Sequence, residues 1–303
     1  RQPLPNNIIP ASRISPIAQK MLAYYPEANQ PGTADASQNY YRTRTISREN
    51  YTVVSRVDHQ ISSANRLFFR INNSQHDNNT DTLPGPIFQD ILDRTGWGGV
   101  LDDVHVFGPG LLLNLRYSAS YQSDITTRGS AGFDITSLGL PSSLKSEIAR
   151  KLDTDGLIFP QAVVNGYTSL GLGGASRAVT NYHTAGFTLT NIRGSHSMRY
   201  GSEYRLQRET GLGYGFVNPQ FTFGSTYTNG PLDNAAASPK GQGLASMLLG
   251  IATAGVINNN ASRAEQSSYT SFFVQDDWRV NQRLTINIGL RYEYEKAVNE
   301  RFN

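Results

Sequence analysis

The 303 residues carry 27 Lys and Arg against 24 Asp and Glu, with 38% hydrophobic and 17% charged side chains and no cysteine. The missing thiols exclude disulfides, thiolate metal sites and cysteine nucleophiles, and the small, scattered basic excess argues against a nucleic-acid footprint. Abundant glycine and tyrosine with few charges argue against a helical bundle, and recurring aromatic and β-branched blocks argue against disorder.

No run of eighteen apolar residues is present, so no transmembrane helix is predicted. Near the N-terminus Ile14, Ile17, Ala18, Met21, Leu22 and Tyr25 recur at helical spacing between Pro10 and Pro26, which predicts a short amphipathic helix. From residue 51 onward the dominant signal is period-2 alternation. Tyr51, Val53 and Val57 alternate with Arg56 and Asp58, then Leu67, Phe69 and Ile71 with Arg70 and Asn72. Leu111, Leu113, Leu115, Tyr117, Ala119 and Tyr121 oppose Asn114, Arg116, Ser118, Ser120 and Gln122. Met198, Tyr200, Tyr204 and Leu206 oppose Arg199, Glu203, Arg205 and Gln207. The longest run is the last, where Leu284, Ile286, Ile288, Leu290, Tyr292 and Tyr294 alternate with Thr285, Asn287, Gly289, Arg291, Glu293 and Glu295.

The connections alternate too. Short ones at 61–65, 108–110, 193–195 and 281–283 read as tight hairpins. Long ones at 78–95, 125–178 and 211–265 separate those hairpins, with short helices predicted at 138–152 and, as a helical turn or a buried apolar knot, at 244–251. An up-and-down sheet then has all its short turns at one end and all its long loops at the other, the asymmetry of bacterial outer-membrane barrels. One strand face is apolar and uncharged, as hydrocarbon demands, and the other is polar, as a hydrated lumen permits. Tyr117, Tyr121, Trp278, Tyr292 and Tyr294 fall where aromatic girdles belong. Asp276 breaks the apolar phase of Phe272, Val274, Trp278 and Val280, which calls for either a bulge near Asp276–Asp277 or a place at the membrane edge.

Several motifs carry little. Asp77, Asn79 and Asp81 imitate the start of a calcium loop, but Thr82 and Phe88 occupy the positions that need glycine and glutamate, so the stretch reads as a polar loop. Ser142 and Lys145 match an acylating-serine spacing without its companion motifs. Gly211, Gly213 and Gly215, and likewise Gly171, Gly173 and Gly174, lack the βαβ setting of a dinucleotide site. His59, His76, His105, His183 and His196 show no metal-ligand spacing; no metal or cofactor is expected, and no acid, base and nucleophile converge as an enzyme would need.

The segment from Phe273 to Val280 (FVQDDWRV), followed by Arg283 to Tyr294 (RLTINIGLRYEY), resembles the QDDW … GLRYE hairpin motif of TonB-dependent outer-membrane receptors, in particular their Oar-like branch with a carboxypeptidase-regulatory-like domain. Residues 7–26, Arg56–His59 with Asn65–Phe68, Arg199–Arg205 and the stretch from Phe221 to Gly250 extend the resemblance over most of the chain. It implies an all-β fold: an antiparallel up-and-down transmembrane barrel wall, partial, of about eight long strands in four hairpins, with long extracellular loops carrying short helices. Residues 1–50 would be an extracellular loop with a short helix and 51–296 the hairpins and their loops, a segment of a barrel of roughly 22 strands whose lumen is plugged. No plug, TonB box, regulatory-like domain or closing strand is recognisable in these residues.

The implied function is TonB-energised passage of a bulky ligand across the outer membrane. Its partners would be outer-membrane lipid, the inner-membrane TonB complex acting through the plug, and a ligand of unknown identity. Candidate lumen-facing residues are Arg56, Asp58, Arg70, Arg116, Arg199, Glu203, Arg205, Arg291 and Glu293, with Tyr40, Tyr41 and Trp97 as candidates in or beside the outer loops. The competing reading is a secreted β-rich adhesin or carbohydrate-binding module, in which the apolar strand faces pack on each other in a sandwich.

Overall fold

In the computed structural model, which describes residues 2–33, 37–152, 156–230, 232, 235, 241–258 and 262–302, eight long strands pair in chain order. They are β1 (Arg48–Ser62), β2 (Asn65–Asp81), β3 (Gln89–Gly108), β4 (Leu111–Arg128), β6 (Ser176–Arg193), β7 (His196–Gly213), β10 (Ser262–Asn281) and β11 (Leu284–Glu295). Every neighbouring pair is antiparallel, and the sheet does not close on itself. At 12 residues for β11 and 20 for β3 and β10, the strands far exceed the usual five or six. Four hairpins with turns of two residues close one end of the wall, as the short connections predicted.

The first long connection differs from the sequence reading. Residues 78–95 are not a loop: β2 runs on to Asp81 and β3 begins at Gln89, leaving only 82–88 to turn the chain. Asp77, Asn79 and Asp81 therefore sit in a strand, paired with Asp93, Ile91 and Gln89. Their polarity disguised the strand, because this rim of the wall needs no apolar face.

Register fixes the two faces. Val57, Phe69, Leu101, Tyr117, Ala185, Tyr204, Val274 and Leu290 share one side, and neighbours of the same phase continue it across all eight strands. None of the described residues covers this side: Val57 is 64% and Leu290 73% exposed. Tyr51, Trp97, Tyr121 and Tyr294 stand on it, each ten or eleven positions from its strand end at Ser62, Gly108, Leu111 or Leu284. At about 3.3 Å per residue and a tilt near 40°, that places an aromatic rim about 25 Å above the turns, the height of the apolar band of an outer-membrane barrel.

The turn end is locally kinked. Register shifts fall between Gln60 and Ser62, Val106 and Gly108, and Arg279 and Asn281. Pairing is unbroken through Asp276 and Asp277, so the bulge lies nearer the turn than the sequence suggested. Asp276 keeps the apolar phase and sits five positions from the strand end, at the lower border of the band.

The buried core is elsewhere. Neither of the two buried apolar clusters draws a fully buried member from the eight long strands. The larger joins Ala18 and Met21 of α1 (Pro16–Leu22), Ile87 and Phe88 of the 82–88 turn, Phe159, Leu170 and Met247. Ser15 caps α1 through Ala18 N (3.4 Å), and Pro16 sits in the first turn, where no amide donor is missed. The connection 129–175 contributes α2 (Ser142–Leu152) and β5 (Gln161–Val164); 214–261 contributes β8 (Gln220–Phe223), α3 (Gln242–Leu248) and β9 (Ala254–Val256). Parallel β5–β8 pairing ties the two connections together, and Gly174 lets them approach, since a Cβ there would strike the Gly215 backbone. The apolar knot foreseen at 244–251 is thus also a helix, with Met247 fully buried. After β11 the chain bends once and β12 (Asn299–Glu300) resumes pairing with β10.

Polar contacts seat this cap on the wall. Arg128 donates to Gly173 O (2.6 Å) and Gly174 O (2.8 Å) and pairs with Asp90. Lys145 binds Asp134 (3.0 Å) instead of serving Ser142, and the Thr136 hydroxyl together with Lys145 holds the Asp134 carboxyl below its usual range.

Two predictions follow from the cap. Met247→Ala is expected to cost about 2–5 kcal/mol of cap stability, read as faster proteolysis and amide exchange in 129–175 and 214–258 with wall exchange unchanged. The Tyr25 hydroxyl donates to Thr168 O (2.5 Å), and burial, then Tyr167, pushes its pKa up to about 12. A raised pKa gives a contribution that is complete below the ordinary tyrosine value near 10 and is lost as pH rises through about 12. One late-ionising phenol should appear in an alkaline absorbance titration and vanish in Tyr25→Phe.

Candidate functional site: the polar face of the wall

One register row crosses the entire sheet: Asp58, Phe68, Asp102, Arg116, Gly186, Glu203, Ser271 and Glu293, each opposite the next. The nine strand charges singled out in the sequence all lie on this polar face, on the row or within four residues of it along their strands.

Their contacts form three groups. In the first, Arg56 grips both carboxylate oxygens of Asp58 (2.6 and 2.8 Å), Arg66 adds a third donor (2.7 Å), and the Arg56 guanidinium lies 4.0 Å over the Phe68 ring. In the middle, Asp102 is 3% exposed and accepts from Arg116 Nε (2.7 Å) and Asn114 Nδ2 (2.9 Å). In the third, Glu203 pairs with Arg205, whose guanidinium lies 4.9 Å over Tyr269, and Arg291 pairs with Glu293 while donating to the Tyr269 hydroxyl (2.9 Å). Phe273 folds over Gly201, where a Cβ would collide with its ring. Arg70 and Arg199 make no ion pair or hydrogen bond among the described residues and stand exposed on the same face.

Exposed ion pairs of this kind contribute only about 0–1 kcal/mol each, so stability alone does not account for a face so rich in charge. Such a surface suits hydrated cargo: guanidinium and carboxylate groups lie side by side, two guanidinium groups are free, and Tyr182 offers an exposed ring.

The outer candidates separate. Tyr41 is 66% exposed in the segment before β1, its backbone clamped by Asn29, which donates to Tyr41 O (2.7 Å) and accepts from Tyr41 N (2.9 Å). Tyr40 is half-buried beside it. Trp97 is not in or beside a loop: it belongs to β3, points to the apolar side and stacks on Tyr121 (6.0 Å, 14°). Arg42 and Arg44 both bind Asp81 (2.7 and 2.9 Å), fastening the segment before β1 to the rim.

Asp102, Arg66, Tyr269 and Asn29 were missed from sequence. Around Asp102 both faces mix types, with Val100 and Val104 on its side and Asp103 and His105 on the other, so only pairing with Arg116 sets the phase. Among the described residues no three His, Asp or Glu side chains gather as a metal site. His76, His183 and His196 instead contact Asn50, Tyr117 and Asp276.

An uncovered apolar face, a charged opposite face and short turns at one end define an outer-membrane β-barrel protein. The outer membrane beta barrel domain family matches residues 1–303, and the chain belongs to it; the protein is a component of the bacterial outer membrane. No curated protein matches the sequence. Among solved structures, the outer membrane transporter YddB from Escherichia coli is similar, with a TM-score of 0.54 and 13% identity over 87% of this chain and 30% of that one. BauA, the ferric preacinetobactin receptor from Acinetobacter baumannii, gives a TM-score of 0.49 and 12% identity over 85% of this chain and 35% of that one. The chain thus spans about a third of the length of either, and the likeness to YddB is one of fold.

Removing the partner of a buried carboxylate should be costly. Arg116→Ala is expected to destabilise the wall by about 3 kcal/mol, whereas Arg116→Met with Asp102→Leu should come close to neutral. Urea unfolding in detergent or bilayers, followed by strand circular dichroism, checks both.

Proposed function

We propose that the chain is part of the barrel wall of a TonB-dependent receptor of the Oar-like branch, which moves a bulky ligand across the outer membrane with energy from the inner membrane. The observation that carries the proposal is the register row that crosses all eight strands on the face opposite the apolar one and bears the charges of Asp58, Asp102, Arg116, Glu203 and Glu293. In this reading residues 1–50 form an outer loop with its helix, and 51–296 form four hairpins with their loops. The plug and the regulatory-like domain belong to other parts of a longer protein, and TonB acts through the plug. Arg70 and Arg199, together with Arg56, Asp58, Arg116, Glu203, Arg205, Arg291 and Glu293, line the route. Tyr40 and Tyr41 meet ligand at the rim, where loops carry recognition.

The uncovered apolar face disfavours the adhesin or carbohydrate-binding alternative, which needs that face sealed in a sandwich. Uptake of a panel of fluorescent solutes too large for porins, compared in cells lacking this gene and in cells lacking TonB, tests the proposal. A solute whose entry is lost alike in both strains is the expected result. A solute that needs this protein but enters equally well without TonB would overturn it.

A further inference from the structure

At the short-turn end, the outward face of β6, β7 and β10 holds a small group of polar side chains that the lumen does not use. Arg193, His196 and Trp278 oppose one another in a single register row. Asp276 stands two residues above Trp278 on the same face, opposite Met198 and Ile288. His196 donates through Nδ1 to Asp276 Oδ2 (2.6 Å), and its ring stacks on the Trp278 indole at 5.4 Å and 11°. The imidazole is thereby fixed and one carboxylate oxygen is taken. The other, Oδ1, is enclosed by its neighbours and has no hydrogen-bond partner, although the side chain is 28% exposed. Arg193 is exposed and has no ion pair or hydrogen bond among the described residues.

We infer that this corner binds the headgroup of a zwitterionic phospholipid bearing a primary ammonium, with its acyl chains lying along the apolar wall above. The position selects a lipid, because the group sits where the uncovered apolar band ends and an indole marks the water interface. The short-turn end faces the periplasm, where the leaflet is made of phospholipid. The charges select the headgroup. Arg193 supplies a planar donor set for a phosphate. A small rotation of the Asp276 carboxylate presents Oδ1 to an ammonium, relieving an acceptor that is costly to leave unpaired. A trimethylated ammonium has no N–H to give, and an anionic headgroup brings no cation at all, so neither satisfies Asp276.

Trp97→Phe removes the other indole of these residues, and the part of the quenching that disappears when Trp278→Phe is added is the Trp278 signal, whatever indoles the longer protein carries elsewhere. The Trp97→Phe protein in bilayers is compared at equal mole fraction of phosphatidylethanolamine, phosphatidylcholine or phosphatidylglycerol carrying brominated acyl chains. Brominated phosphatidylethanolamine should be enriched at Trp278 about two- to fivefold over the other two, the size of one wet charge-assisted contact. Asp276→Asn should abolish that preference, and Arg193→Gln should lower quenching by all three lipids. Equal quenching by the three lipids in the Trp97→Phe protein would overturn the headgroup site and leave the membrane wall standing. No quenching by any of them would overturn both.

Discussion

A sheet face of eight long strands with none of the described residues against it is the constraint on which everything else rests. Removing apolar surface from water is worth about 25 cal/mol per Å², so an uncovered face this large is untenable in water and natural in hydrocarbon. Inside a bilayer no solvent satisfies backbone polar groups, and antiparallel pairing of sequential strands is the way an extended chain meets that demand. The strand length, the aromatic rim about 25 Å above the turns and the short-turn, long-loop asymmetry are consequences of the same requirement.

The arrangement inverts the usual distribution of packing. The wall has two wet or lipid-bathed faces and almost no interior, while the close-packed apolar interior of the described residues lies in the connections, around Phe159, Leu170 and Met247 and around Ile135, Ile148 and Leu157. Loops of 129–175 and 214–261 would be expected to wander on entropic grounds. Here they are held by parallel pairing of β5 with β8, by the 4.8 Å edge contact of Phe159 with Tyr24, and by Arg128 reaching from the wall into the loop backbone. The Asn29 clamp on Tyr41 is a small instance of the same order.

Charge follows a division between the faces. Towards the lumen, acids and guanidinium groups alternate along and across strands and neutralise one another in water. Towards lipid, Asp276 and Asp103 occur only near the turns, each with a polar neighbour, His196 (2.6 Å) and Asn65 (3.0 Å). Both lie five positions from the end of a strand that descends to its hairpin, where the headgroup region makes a carboxylate tolerable.

Alternation alone revealed the hairpins, the two faces and the shared polar face of the charges from Arg56 to Glu293, because a side-chain period of two is a local property that each strand carries in its own residues. The same local logic found α1 from its helical spacing. It failed where order depends on distant partners. The strand ends at 78–81 and 89–95 are largely polar and become strand by pairing with each other and, from Asp90 on, with β4. Trp97 took its place on the lipid side from register. The four-residue β5 and β8 have no pattern of their own and exist because each completes the other across 55 intervening residues. Asp102 joined the lumen row only when Arg116 was set opposite it. What a residue is can be read along the chain, but which residue it faces is settled by pairing between segments far apart in sequence, and only the tertiary structure contains that.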